Sequence, residues 1–277
     1  SNDLLDGGTG DDYMESSVAN DLLTGSAGAD NIFDYDGHDV VLFNRGDGQD
    51  GYGLYSSDAV PVAQRTVSLG GGIAYADLAF SRNGDDLVLN LGNADSMTFD
   101  WWFDTSWGNN KLVNTLQMIV EAMPGYSPIA TEPLLDKRVQ QFDFLGLANQ
   151  FEASLAADPT ITAWQLEPHL PGYYSGGSDT QALGGNIAYQ YGMSGSLSGL
   201  SETEIRAQLS DANFGVNNQS FQLPNFVFQP DMGAQVLPAG ISGIQFAAGI
   251  DPASITVIRN SRGNFLGDAV LFDLACL

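Results

Sequence analysis

Gly7-Gly8-Thr9-Gly10-Asp11-Asp12-Tyr13-Met14-Glu15 is the fullest copy of a nine-residue unit that opens the chain. Its aspartate recurs in strict phase at Asp3, Asp12, Asp21, Asp30 and Asp39. Two positions after each stands an apolar residue: Leu5, Met14, Leu23, Ile32 and Val41. Two positions before stands a small one, at Gly10, Ala19, Gly28 and Gly37. An Asp/Gly-rich solvated loop has no reason to keep five aspartates in phase with five apolar residues. A nine-residue unit cannot bury a face alone, so it must stack on its neighbours. The expectation is a turn and a very short strand per unit, with the apolar column pointing inward.

Successive turns fall on opposite edges of such a stack, so same-edge turns are two units apart. That pairs Asp12 with Asp30, and Asp21 with Asp39, with Asp3 below Asp21. Two carboxylates and the turn carbonyls, here Gly8, Gly10, Gly25 and Ala27, make an all-oxygen cage. A hard cation needing six to eight oxygen ligands suits it, and flexible turns suit calcium better than magnesium. Zinc would need clustered His or Cys. After Val41 the spacing slips, and Gly46-Asp47-Gly48-Gln49-Asp50 restores the pattern with Asp50 in the ligand position. Asp30 and Asp50 are expected to form a last, distorted site. The turn Ser16-Ser17-Val18-Ala19-Asn20-Asp21 lacks glycine and is the least regular. Arg45-Gly46-Asp47 also spells an integrin-type tripeptide, read here as a coincidence of the repeat-ending string.

The chain carries 34 acidic and 9 basic residues, a formal charge of −25. Residues 1–51 hold twelve of the acids and one base, Arg45. Such a segment repels itself, so cation binding and folding should be one event. Nucleic acids and anionic membranes need basic patches, which these bases are too few to build. The one cysteine, Cys276, excludes an internal disulfide. No run of about 18 apolar residues predicts a membrane span, and no signal peptide is recognisable.

Beyond the repeats the pattern changes. Asp86-Leu87-Val88-Leu89-Asn90-Leu91 alternates with period two behind the turn signal Asn83-Gly84, and Ser96 to Phe103 reads as an aromatic-rich strand. Gly72-Ile73, Ala76, Arg82-Asn83 and Gly84-Asp85 recur as Gly249-Ile250, Ala253, Arg259-Asn260 and Gly267-Asp268, which predicts a second copy of the same strand–turn–strand unit. Between the copies three helices are expected. One lies on Leu112, Leu116, Ile119 and Met123, one runs over about 134–157, and one starts at the capping box Ser201-x-x-Glu204.

Residues 2–51 resemble hemolysin-type (RTX) calcium-binding repeats, whose pattern is G-G-x-G-x-D-x-U-x. Residues 70–104 are similar to the domain that often follows them, through Ala76-Asp77-Leu78, Asp85-Asp86-Leu87-Val88-Leu89 and Trp102-Phe103. The resemblance implies a mainly β protein with an N-terminal parallel β-roll (1–52). A β module (53–104) follows, then a helical insertion (105–235) and a truncated second copy of the module (236–277). It implies Ca2+ as the ligand, with Asp3, Gly8, Gly10, Asp12, Asp21, Gly25, Ala27, Asp30, Asp39 and Asp50 as its metal residues. It also implies type I secretion to the exterior or the bacterial cell surface, as part of a larger RTX chain. The family includes toxins, proteases, lipases and adhesins, so it does not fix an activity.

No catalytic constellation stands out. His38 lies beside Asp39 in a turn and reads as an exposed spacer, and His169 sits between Pro168 and Pro171 in a loop. Ser194 and Ser198 approach a nucleophile elbow without reading G-x-S-x-G. The favoured expectation is a non-enzymatic calcium-folded structural module. A glycan- or peptide-binding adhesin module, with its ligand on the 105–235 insertion, is the alternative, and a hydrolase fragment is third.

Overall fold

Seven short strands follow one another through the repeats and alternate between two sheets: β1 (Leu4–Asp6), β2 (Tyr13–Glu15), β3 (Leu22–Thr24), β4 (Asn31–Asp34), β5 (Val40–Phe43), β6 (Gln49–Leu54) and β7 (Arg65–Leu69). This computed structural model describes residues 1–55, 64–104, 106, 110–223, 226–227 and 256–257. Strands β1, β3, β5 and β7 pair parallel in the first sheet. Strands β2, β4 and β6 pair parallel in the second. Leu5 stands opposite Leu23, and Met14 opposite Ile32, so the sequence offset between paired strands is two repeat units.

The side chains obey the period. Leu23, Ile32 and Val41 are buried in the core between the sheets, and Leu5 and Met14 pack on it. Their neighbours Leu22, Val40 and Leu42 face the other side of the first sheet and enter a separate apolar cluster.

The sheets then continue with later segments. β8 (Ala79–Asn83) and β9 (Asp86–Asn90) form the expected hairpin, turning at Gly84, whose φ of 63° suits glycine. β10 (Ser96–Phe99) pairs with β9 and, parallel, with β6. β11 (Val113–Ile119) lies parallel to β7. β12 (Val139–Asp143) follows antiparallel to β11 and leads straight into α1 (Phe144–Ala157). β13 (Trp164–Gln165) pairs with β8, and β14 (Tyr174–Ser178) pairs with β12. Among the described residues each large sheet thus has seven strands. α1 packs Phe144, Leu147, Ala148 and Phe151 into the intersheet core, against Phe80, Trp102 and Trp164.

The outer face of the first sheet is covered by β15 (Gln181–Ala182), α2 (Gly185–Ser194), α3 (Glu202–Leu209) and β16 (Gln219–Ser220). Ile187, Ala188 and Tyr191 of α2 meet Leu22, Val40 and Leu42 there. α3 begins at the expected capping box, with Ser201 Oγ accepting the Glu204 N–H and Glu204 accepting the Ser201 N–H.

Three expectations change. The run 112–123 is the strand β11 followed by one 3-10 turn, Val120–Ala122, not an amphipathic α-helix. The run 134–157 is a strand followed by a helix. Strands from 1–52, 53–104 and 105–235 share the same two sheets, and Ser1–Phe221 forms one compact unit. Gln222–Leu277 is a second unit, in which β17 (Phe226–Val227) pairs antiparallel with β18 (Thr256–Val257). Apart from β18, the second copy of the module lies outside the described residues. No described helix is long and apolar enough to cross a membrane.

Candidate metal centre

The turns divide into two edges. Turns 7–12, 25–30 and 44–48 run from the first sheet to the second, and turns 16–21 and 35–39 run back. On the first edge Asp12, Asp30 and Asp50 stack in a column. The Asp12 N–H donates to Asp30 Oδ1 at 2.8 Å, and the Asp30 N–H donates to Asp50 Oδ1 at 3.1 Å. The second oxygen, Oδ2, of all three aspartates is buried and has no hydrogen-bond partner. A buried carboxylate oxygen without a donor is costly. Burial first, then neighbouring carboxylates, pushes Asp30 upward and Asp50 up to about 8. A bound cation or a proton would remove the cost.

The glycines make the room. A Cβ on Gly25 would lie 2.2 Å from Asp30 Oδ2, and one on Gly7 would lie 3.0 Å from Asp12 Oδ2. A Cβ on Gly28 would sit 2.0 Å from the Gly10 carbonyl, and one on Gly7 would sit 2.8 Å from the Gly25 carbonyl. The Gly25 carbonyl and the orphaned Asp12 Oδ2 thus border the same space beside Gly7, and the Gly10 carbonyl lies on the Asp30 side of Gly28. Gly8 and Ala27 also accept turn-to-turn N–H bonds at 2.9 Å. A carbonyl has two lone pairs, so one remains on each. This donor set, all oxygen and rich in carbonyls, fits calcium.

The second edge is different. Asp21 Oδ1 accepts the Asp3 N–H at 2.8 Å, but its Oδ2 is taken by the Ser17 N–H at 3.0 Å and the Ser17 hydroxyl at 3.1 Å. Asp39 Oδ1 accepts the Asp21 N–H at 2.7 Å, and its Oδ2 lies 3.7 Å from Arg65 Nε. Burial and the adjacent Asp34 carboxylate push Asp39 upward. Asp3 accepts a bond from the Ser1 hydroxyl. Asp21 is thus supplied with donors by the protein, whereas Asp39 Oδ2 is buried without a hydrogen bond, like the first-edge oxygens, but faces a guanidinium.

At the end of the repeats Asp47 is buried and accepts the Asn44 N–H at 2.7 Å and the Tyr191 hydroxyl at 3.0 Å. Burial pushes it up to about 6. Arg45 turns to Asp77, Asp95 and the Leu91 carbonyl, so neither end of the Arg-Gly-Asp tripeptide is presented as a free ligand. His38 is not the exposed spacer expected: its Nδ1 is buried, burial lowers its pKa, and its carbonyl lies where a Cβ on Gly215 would be. His169 stacks on Trp164 with centroids 4.0 Å apart.

Ser17, Arg65 and Tyr191 carry roles that the repeat pattern does not announce. Ser17 betrays itself only by the missing glycines of its turn. Among the described residues, no three His, Cys, Asp or Glu side chains converge so as to hold a metal by themselves. No family model matches the chain, and no curated protein matches it.

Proposed function

We propose that the chain is a calcium-binding, calcium-folded structural module of a secreted bacterial RTX-type protein, and that residues 1–52 form a parallel β-roll. The observation that carries this reading is the column Asp12, Asp30, Asp50, with three buried Oδ2 atoms lacking donors beside glycine turns. Parallel pairing at an offset of two repeat units supports the roll. The module acts as scaffold, not as enzyme. Carboxylate repulsion holds its first edge open until calcium reaches it outside the cell.

Calorimetric titration of the chelated protein tests this. Calcium should bind with dissociation constants of roughly 10⁻⁴–10⁻³ M, the range of extracellular modules. Far-UV circular dichroism should gain β-structure in parallel. Asp30→Asn should abolish most of the response. Absence of calcium binding in the wild type, or selective zinc binding, would sink the proposal.

A second reading, a glycan- or peptide-binding adhesin module, is favoured by one surface. Tyr13, Phe33, Tyr35, Tyr55 and Trp101 form a run of neighbouring rings over the second sheet, with centroids 5.1 to 6.2 Å apart. Trp101 is 41% exposed on a backbone with φ 54°. Retention on neutral polysaccharide columns, lost in Tyr55→Ala/Trp101→Ala, would favour it. The 105–235 insertion lends less support, because Trp164, Tyr189 and Tyr191 are buried.

A further inference from the structure

We infer that Arg65 is the built-in cation of the second edge, so that calcium is required on the first edge alone. This rests on the calcium reading above and specifies it.

Register carries the inference. In the first sheet Leu4 faces Leu22, Leu22 faces Val40, and Val40 faces Thr66. The residues one position earlier therefore form the ladder Asp3, Asp21, Asp39, Arg65. The backbone repeats the same bond at each step: Leu22 N–H to Asp3 carbonyl, Val40 N–H to Asp21 carbonyl and Thr66 N–H to Asp39 carbonyl, each at 2.9 Å. Arg65 thus occupies the repeat aspartate's place on the next rung. The first edge has the ladder Asp12, Asp30, Asp50 and ends on Met97, paired with Asp50 and fully buried. One column closes on a guanidinium and the other on a thioether.

The surroundings of Arg65 match what an ion would take. Its Nε lies 2.6 Å from Asp34 Oδ2 and 3.7 Å from Asp39 Oδ2. Its Nη2 donates to the carbonyls of Asp34 at 3.3 Å, Tyr35 at 2.8 Å and Tyr55 at 3.0 Å. Two carboxylates and three backbone carbonyls converge on one positive charge that is 1% exposed. Only Nη1 lacks a hydrogen bond. Lower on this edge Ser17 supplies Asp21 with two donors, which removes the need for an ion there too. Oδ2 of Asp39 is buried without a hydrogen bond, as is Oδ2 of Asp12, Asp30 and Asp50, but among the described residues only Asp39 of these four has a guanidinium beside it, at 3.7 Å. Arginine suits the task because its charge is permanent and its planar fork serves several acceptors at once.

The experiment uses the whole chain, with calcium counted by calorimetry and melting followed in chelator and in calcium. Asp39→Asn should bind the same number of ions as the wild type, whereas Asp30→Asn should bind fewer. Arg65→Met should melt lower in chelator, regain stability in calcium and bind one ion more than the wild type. Arg65→Lys keeps a charge and should bind the wild-type number, which holds the test open if Arg65→Met does not fold. Loss of an ion in Asp39→Asn would overturn the inference, as would an unchanged melt of Arg65→Met in chelator.

If the wild type binds no calcium, the calcium reading falls and Arg65 is still tested. In chelator, Asp39→Asn should rescue part of the Arg65→Met loss. Strict additivity of the two changes would show that the guanidinium does not hold that edge.

Discussion

Gly25 has no room for a side chain because Asp30 Oδ2 stands 2.2 Å from where its Cβ would be. Gly25→Ala should push that carboxylate out of the turn and lower calcium affinity at least tenfold by calorimetry. Gly8 differs: a Cβ there meets nothing within 4 Å, but its φ is 92°. Gly8→Ala should cost about 1 kcal/mol of backbone strain in thermal melts with affinity largely kept. The repeat made both glycines visible as turn residues but could not tell a steric need from a dihedral one. Arg65 was invisible for another reason: it lies beyond the break in the period, and only strand pairing puts it over Asp39. Asp100 supplies a pH test away from the proposed metal residues. Burial, then the Asp86 carboxylate, pushes it up to about 6. The folded chain holds that proton more tightly than the unfolded one, whose value is near 4. Its stabilising contribution is therefore complete below about pH 4 and lost as pH rises through 6. Asp100→Asn should raise the melting temperature over wild type at pH 8 and change little at pH 4.

Elements were legible where one face is buried and one is not. The strands of the repeats and the hairpin β8–β9 follow from alternation and turn residues. β11 misleads because both its faces are covered: Leu116 and Met118 enter the intersheet core, while Gln117 lies fully buried beneath the covering layer. Gln117 donates to Ser68 Oγ and the Leu183 carbonyl and accepts the Leu183 N–H. A strand covered on both sides loses its period of two and mimics a helical spacing. Helix starts were clearer, since a cap is a local signal. Asp143 accepts the Gly146 N–H at the head of α1, so Asp143→Ala should cost about 0.5–2 kcal/mol in thermal unfolding with calcium binding unchanged. Between elements the decisive contact is Tyr191, whose hydroxyl ties α2 to Thr24 and Asp47 on the first edge.

At the scale of the molecule, a charge of −25 sets the terms of folding. Sodium chloride at 1 M shortens screening to about 3 Å and quiets exposed carboxylates. It does not reach the buried Oδ2 atoms of Asp12, Asp30 and Asp50. Salt alone should therefore fail to replace calcium in restoring β-structure, and circular dichroism at 1 M salt in chelator checks this.

The coil of the repeats has a mechanical corollary. From β1 to β5 each coil advances by 18 residues, after which the offset grows, and each touches the coils above and below and, along the first sheet, the covering layer. A tether pulling on Ser1 loads the outermost coil and leaves the rest slack. Eighteen residues drawn straight at about 3.3–3.6 Å apiece release roughly 60 Å of chain. When calcium-loaded molecules are held under steady force, the outermost coils should therefore yield in a staircase with treads of that length. The staircase should halt at β7, where Arg65 latches the last coil to the larger core.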